Sequence, residues 1–209
     1  MTGDLDPGRE VEGIVSRRAL CVPLLVTLLL ALAACSAPRT VKTYDKSGLR
    51  FSYLSDWMVT TDMLLPRDAR VRQVVLNGPE HSLLMLLLLP EATNVSLESF
   101  AASAAKGRSG MVKHETGAPP VTSRPVTAKI AGKDITGLQQ TFDMALLGQS
   151  IPHQVSYYLV NAVGLKVIIT AQGPEKHLAT IQPGWQKVFD TLAIEPRPGS
   201  GGLSATVYQ

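Results

Sequence analysis

Apolar and polar residues alternate along much of the chain beyond residue 48, and this alternation is typical of half-buried β-strands. Residues 49–54 alternate in this way and end at Ser55 and Asp56, which favour a turn. Trp57 begins a second extended segment, and we expect its side chain to fill the core rather than to stack on a ligand. Further strands are predicted at residues 71–76, 155–160 and 165–170. Two more strands, at 126–130 and 134–146, are predicted on either side of a hairpin turn at 130–133.

The most apolar stretch of this region lies between Ser82 and Pro90 and consists of leucines and one methionine. It is too short to cross a membrane as a helix, and the flanking Gly-Pro and Pro residues favour a strand. Continuous hydrophobicity indicates that both faces are covered, so a central strand is predicted, with helices, or a helix and another element, on its two sides. A bound lipid that covers one face is the functional alternative.

Apolar residues recur at helical spacing in two segments of the sequence. Asn94 or Ser96 can cap a helix at residues 97–106, whose apolar positions share one face, and Gly107 is predicted to end it. Residues 107–125 then favour a loop and an edge strand. A second helix is predicted from Glu175, with a kink or restart at Pro183 and Gly184.

A different pattern precedes these elements, because Arg17 and Arg18 are followed by a weakly polar to apolar run from Ala19 to Ala34. A positive flank, a short apolar core and small residues before a cleavage point are the parts of a secretory signal. An uncleaved membrane anchor is the alternative, which the shortness of the run disfavours. The residues Leu32, Ala33, Ala34 and Cys35 resemble the bacterial lipobox, in which the first three direct cleavage and the cysteine takes the lipid.

These features predict four segments. Residues 1–34 are a lipoprotein signal peptide, 35–42 a lipidated tether, 43–195 a folded domain and 196–209 a disordered tail rich in Pro, Gly and Ser. The protein is then anchored through acylated Cys35 to the cell membrane and faces the extracytoplasmic side. Cys21 leaves with the signal peptide, so neither a free thiol nor a disulfide remains. The export route, general secretory or twin-arginine, stays open, as does the true translation start.

Charge changes this picture little. The whole chain has a formal net charge of +3; cleavage removes three basic and four acidic residues, which leaves +4. The charges are scattered, and the nearest approach to a cluster is Arg67, Arg70 and Arg72 around Asp68. The excess of positive charge indicates either mild affinity for anionic headgroups or a solvated face, of which the second is favoured. A nucleic-acid-binding protein would show a denser basic stripe with interleaved aromatic residues, so nucleic acid is not an expected partner.

No catalytic, cofactor-binding or metal-binding motif stands out in the sequence. His81, His114, His153 and His177 lie far apart without short ligand spacing, and no Gly-x-Ser-x-Gly nucleophile motif occurs. We therefore expect a protein that is not an enzyme and that needs no cofactor or metal.

Several segments together are typical of one known group of proteins, namely 51–57, 154–158, 167–170, Phe189 and 192–194. In these segments and in the order of its elements, the chain resembles the PsbP-type fold, and most of all the LpqN/LpqT group of mycobacterial lipoproteins. The resemblance covers most of residues 42–195 and departs from the family pattern at Leu54, where proline is common. It implies an α+β fold, in which an antiparallel sheet carries helices on both faces as an α/β/α sandwich, and it implies accessory, binding or assembly functions without catalytic residues.

Two functions follow as hypotheses. The first is a cell-envelope lipoprotein whose domain engages a protein partner; an exposed apolar loop at residues 63–66 beside a filled core would favour it. The second is a carrier that shelters an apolar or lipid ligand in a pocket between sheet and helix; an open aliphatic cavity beside residues 83–89 or 185–192 would favour that reading.

Overall fold

The computed structural model describes residues 39–111, 123–146, 149–162 and 164–195. This part of the chain contains ten β-strands, two α-helices and one 3-10 turn. In chain order these are β1 Val41–Lys46, β2 Leu49–Leu54, β3 Met58–Leu65, β4 Asp68–Asn77, β5 Leu83–Pro90, α1 Leu97–Met111, β6 Ser123–Ile130, β7 Lys133–Leu146, β8 Gln149–Ala162, β9 Leu165–Pro174, the 3-10 turn Glu175–His177, α2 Leu178–Thr191 and β10 Ala193–Ile194.

The strands form two antiparallel sheets. The larger has the order β3-β4-β5-β9-β8-β7-β6, and the smaller has the order β1-β2-β10. The fold is therefore α+β with a dominant β component, in agreement with the α+β class that the resemblance implies. The first strand begins at Val41, so the last two residues of the predicted tether at 35–42 belong to the folded domain.

The main core lies between the larger sheet, the smaller sheet and α2. Leu49 and Phe51 of β2 contribute from the smaller sheet, and alternate residues of β4, β5 and β9 contribute from the larger one. Its fully buried side chains include Leu49, Phe51, Trp57, Val74, Leu76, Leu84, Leu86, Ile169, Ile181 and Val188. The predicted hairpin turn is confirmed, because Ala131 and Gly132 both adopt positive φ (50° and 77°) between β6 and β7, as a two-residue turn requires.

The apolar strand is interior, as predicted, since β5 pairs with β4 and β9. The expectation that both of its faces are covered is only half right. Leu84 and Leu86 are fully buried, whereas Leu83, Met85 and Leu87 on the other face are half-buried. The reason is the position of α1, which packs mainly against β7 and β8 and reaches this face through Phe100, in a cluster with Leu87 and with Leu89, which is 7% exposed.

The predicted ends of the helices need correction. The first helix continues through Gly107 to Met111, so the predicted stop at Gly107 and the loop assigned to residues 107–111 are wrong. Glycine inside a helix costs about 1 kcal/mol relative to alanine, which packing elsewhere on the helix can offset. The second helix runs through Pro183 and Gly184 as one element, after a 3-10 turn at Glu175–His177.

Candidate binding surfaces

Trp57 is a core residue, as predicted. Its side chain is 1% exposed, and its indole lies between two glycines, Gly78 and Gly184. A Cβ at Gly184 would lie 2.2 Å from Trp57 Nε1, and a Cβ at Gly78 would lie 2.5 Å from Trp57 Cζ2. The β4–β5 turn and α2 can therefore approach the indole this closely only because both positions lack a side chain.

The histidines are not brought together into a site within the described residues. His153 is 2% exposed and its Nδ1 lies 2.9 Å from the carbonyl oxygen of Ile151, while His177 Nε2 lies 3.2 Å from a carboxylate oxygen of Glu80. His114 lies outside the described residues. Among the described residues, no three His, Cys, Asp or Glu side chains are grouped as metal ligands would be.

The predicted lipid attachment site, Cys35, and the cleavage residues Leu32, Ala33 and Ala34 lie outside the described residues, so the anchor remains a prediction. Neither described helix is long and apolar enough to cross a lipid bilayer.

The arginines that look like one solvated cluster in the sequence have different environments. Arg70 is exposed and pairs with Asp68, with its Nη2 2.9 Å from Oδ2. Arg72 is 4% exposed; its Nε donates to Asp62 Oδ1 at 2.8 Å, and its Nη1 donates to the carbonyl oxygen of Lys46 at 3.1 Å. Arg72 is therefore buried, unlike its neighbour Arg70, and is not part of a solvated face.

Asp62 is the centre of this buried network. Its Oδ2 accepts hydrogen bonds from Tyr44 Oη at 2.8 Å and from Lys46 Nζ at 2.7 Å. The hydrogen bond from Arg72 is the main cause that holds the pKa of the Asp62 carboxyl well below its usual range. Burial and the hydrogen bond to Asp62 raise the pKa of Tyr44 to about 12. Since Tyr44 belongs to β1 and Asp62 to β3, the network joins the two sheets.

Arg108 makes a second polar contact that the sequence hides, because residues 106–110 look like a loop. From α1 its guanidinium donates to Tyr157 Oη at 2.5 Å and to Gln140 Oε1 at 2.6 Å. Its Cζ also lies 4.4 Å from the centroid of the Phe142 ring. These contacts tie α1 to β7 and β8.

A cleft of about 510 Å³ lies between α2 and strands β6 to β9. Its position beside residues 185–189 is the one expected of a carrier pocket, but its wall is not mainly aliphatic. Polar and aromatic residues make up two thirds of the lining, and one valine, three alanines and one proline make up the rest. The polar members are Thr127, Lys129, Gln139, Gln154, Ser156, Gln182 and Gln186, and the aromatic members are Tyr158, Trp185 and Phe189.

A second candidate surface crosses β3, β4 and β5 on the sheet face opposite Leu84 and Leu86. Paired residues of neighbouring strands share a face, which places Met63, Gln73 and Leu87 in one row and Val75 and Met85 in the next. Met63 is 44% exposed, and Val75, Met85 and Leu87 are half-buried. We call Met63, Val75, Met85 and Leu87 the methionine face.

Residues 63–66 do not form a loop, because Met63, Leu64 and Leu65 belong to β3. Both Met63 and Leu64 are nevertheless exposed, at 44% and 47%. Exposed apolar residues, the feature that would favour partner binding, are thus present here, but they lie on a strand and not in a loop. The sequence misses the methionine face because it is assembled from three strands, and only their register brings the residues together.

No protein-family model and no curated protein sequence matches the chain. Among solved structures, the chain is similar to the crystal structure of LpqN, which is involved in cell envelope biogenesis of Mycobacterium tuberculosis. The sequence identity is 10% and the TM-score is 0.36, and the similarity covers 78% of this chain and 88% of that chain. The chain is also similar to the solution structure of cyanobacterial PsbP (CyanoP) from Synechocystis sp. PCC 6803, with 10% identity, coverage of 77% and 95%, and a TM-score of 0.41. Both groups that the sequence resembles are thus represented among the structural neighbours, but at these TM-scores neither similarity assigns a family.

Proposed function

We propose that the protein is a cell-envelope lipoprotein, anchored through acylated Cys35 on the extracytoplasmic side of the membrane, whose non-catalytic domain engages a protein partner. The anchor is supported by the lipobox-like Leu32-Ala33-Ala34-Cys35. Partner binding is carried by one observation, the exposure of Met63 at the edge of an apolar sheet face that continues through Met85.

We also infer that the domain is a PsbP-like α/β/α sandwich. Consecutive residues of a strand point to opposite faces of a sheet. Tyr157 packs edge-on against Phe100 of α1, with the ring centroids 5.7 Å apart, and Tyr158 packs edge-on against Phe189 of α2, with the centroids 5.6 Å apart. Neighbouring residues of β8 thus contact different helices, which supports helices on both sides of the sheet.

The methionine face suits a protein partner because of its chemistry. Methionine side chains are flexible and polarisable, so they adapt to the shape of an apposed surface. Gln73 lies within this face, with its Nε2 3.3 Å from Met85 Sδ. An apolar partner segment with a few polar groups matches this composition.

Side chains, rather than backbone, are the expected points of contact. In the described part of the larger sheet, β3 is an end strand, so its outer edge could in principle pair with another strand. Its register with β4 shifts between Val59 and Thr61 and again between Leu64 and Leu65. Such irregularities twist an edge and discourage strand addition.

Site-specific photo-crosslinking in the native membrane tests partner binding. A benzoylphenylalanine at Met63 is expected to form one discrete protein adduct, whereas the same probe at Thr136, an exposed position of β7, is expected to form none. Adding Met85→Gln should weaken adduct formation by about tenfold, the effect of losing an interface residue worth ~1.4 kcal/mol.

Equal adducts at Met63 and Thr136, or a Met63 adduct that Met85→Gln leaves unchanged, would show that the methionine face is not the contact surface. Each probe-bearing variant should keep the melting temperature of the parent, so that a lost adduct reports lost contact rather than unfolding.

The alternative function is a carrier, and the cleft under α2 is the observation that favours it. A volume of about 510 Å³ lies in the range of small-molecule sites. Gln139 and Ser156 are 5% and 4% exposed and are hydrogen-bonded within the protein, since Arg124 Nε donates to Gln139 Oε1 at 2.5 Å and Gln139 Nε2 donates to Ser156 Oγ at 3.5 Å. Because the lining also includes Gln154, Gln182 and Gln186, a ligand with polar groups matches the cleft better than an aliphatic chain.

Intact and native mass spectrometry of protein purified from its own membranes in mild detergent tests the anchor and the carrier hypothesis separately. We expect a mature chain that begins at an acylated Cys35 and retains no further stoichiometric mass under native conditions. A ligand mass lost on denaturation would make the carrier the leading function. An unprocessed chain that still carries Met1 would contradict the lipoprotein assignment.

A further inference from the structure

One corner of the domain lies next to the predicted lipid anchor. Five residues lie between Cys35 and Val41, the first residue of β1, and the six extended steps that join the two span about 20 Å at most. Wherever the acylated cysteine sits in the bilayer surface, the start of β1 is therefore held within about 20 Å of it.

The residues of this corner are linked by close contacts. Val41 pairs with Leu54, and the backbone N–H of Ser55 donates to the carbonyl oxygen of Thr40 at 2.8 Å. The backbone N–H of Trp57 donates to the carbonyl oxygen of Leu54 at 2.9 Å, which brings the start of β3, at Met58, to the same corner. We call Arg39, Val41, Lys42 and Met58 the tether corner.

The tether corner combines exposed apolar and cationic side chains. Met58 is 62% exposed and Val41 is 50% exposed, the highest values among the large hydrophobic residues in the described ranges. Arg39 and Lys42 are exposed beside them, and the sequence between Cys35 and Tyr44 contains no acidic residue. Asp56 partly offsets this charge, since its Oδ2 lies 3.6 Å from Arg39 Nε.

We propose that the tether corner rests on the headgroup layer of the bilayer, with Val41 and Met58 inserted between headgroups and with Arg39 and Lys42 beside anionic phosphates. Exposed apolar side chains flanked by basic ones are the composition of a surface that binds at a membrane interface. Because the short tether keeps the tether corner close to the bilayer, the effective concentration of the bilayer surface around it is high. A patch of two apolar residues then suffices for binding.

This orientation has a consequence for the methionine face. Met63 lies five residues beyond Met58 along β3, which corresponds to about 16 Å of extended strand. A domain that stands on its tether corner holds Met63 away from the bilayer, where a protein partner can reach it.

Fluorescence quenching in vesicles tests the orientation. The inference rests on the proposed anchor, so the acylated full-length mature protein is used. Because that protein has no free thiol, Met58→Cys and Met63→Cys each provide a single labelling position at an exposed residue of the same strand. The labelled proteins are reconstituted into vesicles of phosphatidylcholine with a minority of phosphatidylglycerol, and brominated lipids serve as the quencher.

We expect the label at position 58 to lose several-fold more fluorescence than the label at position 63. The double substitution Arg39→Gln with Lys42→Gln should reduce the quenching at position 58 in these vesicles, because it removes the attraction to anionic phosphates. Melting temperatures equal to that of the parent confirm that each variant is folded.

The mass of the protein distinguishes a wrong orientation from a missing anchor. Equal quenching at the two positions, or stronger quenching at position 63, in protein whose mass shows an acylated Cys35 overturns the orientation and leaves the anchor standing. An unacylated Cys35 overturns both.

Discussion

Replacing Arg72 with methionine is expected to lower the free energy of unfolding by about 1.5–3 kcal/mol, because it removes the main hydrogen-bond donor of a half-buried carboxylate, which then keeps Tyr44 and Lys46 as partners. Arg72 is 4% exposed and donates to Asp62 at 2.8 Å, and it also donates to the Lys46 carbonyl oxygen. Methionine keeps much of the apolar stem, so the loss reflects the charge rather than a cavity. Urea denaturation followed by circular dichroism measures the change.

Arg70→Met is the matched control. Arg70 lies two residues away on the same strand and also pairs with an aspartate, but it is exposed, and exposed pairs contribute little. Its replacement should leave the free energy of unfolding close to that of the parent. The double variant Arg72→Met with Asp62→Leu should regain much of the stability lost by Arg72→Met alone. Equal effects at positions 70 and 72 would contradict the buried network.

The same network predicts a dependence on pH. Since the folded pKa of Asp62 lies below its usual range, its contribution is present above the unfolded pKa of about 4 and is lost as the pH falls through the folded value. The difference in stability between the parent and Arg72→Met should therefore shrink in acid. A difference that stays constant from neutral pH into acid would show that Asp62 is not the group concerned.

Replacing Trp57 with alanine is expected to cost about 3–5 kcal/mol. The side chain is 1% exposed and is the largest that the described core buries completely. Its removal leaves a cavity between the β4–β5 turn and α2, where Gly78 and Gly184 cannot fill the space. The change is measured by urea denaturation, and a cost below about 1 kcal/mol would contradict the core assignment.

A double-mutant cycle with Gly184→Ala isolates this packing. In the parent, the added methyl group meets the indole at 2.2 Å, so the substitution forces a shift and destabilises the domain. In the Trp57→Ala background the methyl group enters vacated space, and its cost should fall by at least about 1 kcal/mol. Additive costs would mean that the two residues do not compete for the same volume.

A residue's environment can be predicted from the sequence when it depends on neighbouring residues, and it cannot when it depends on distant segments. Trp57 follows a turn within an alternating pattern, so its burial can be predicted from its neighbours, and the prediction is confirmed. The different environments of Arg70 and Arg72 cannot be predicted in this way, because the two residues lie close together on the same strand, β4. Only Arg72 is covered by the smaller sheet, where it contacts the Lys46 carbonyl oxygen and the Tyr44 hydroxyl. The partner of Arg72, Asp62, lies on a different strand and has no local signal.

By itself, the sequence determined the lipobox-like segment and most of the strands, because these depend on residue type and on short-range periodicity. It also determined that β5 is interior, since a run of leucines cannot form an exposed edge in water. The tertiary structure decided which face of β5 stays open, the extension of α1 past Gly107, the network around Asp62 and the polar wall of the cleft. Each of these depends on which distant segments meet, and the free energy of such contacts arises from burial and pairing across the whole fold rather than from any stretch of the chain.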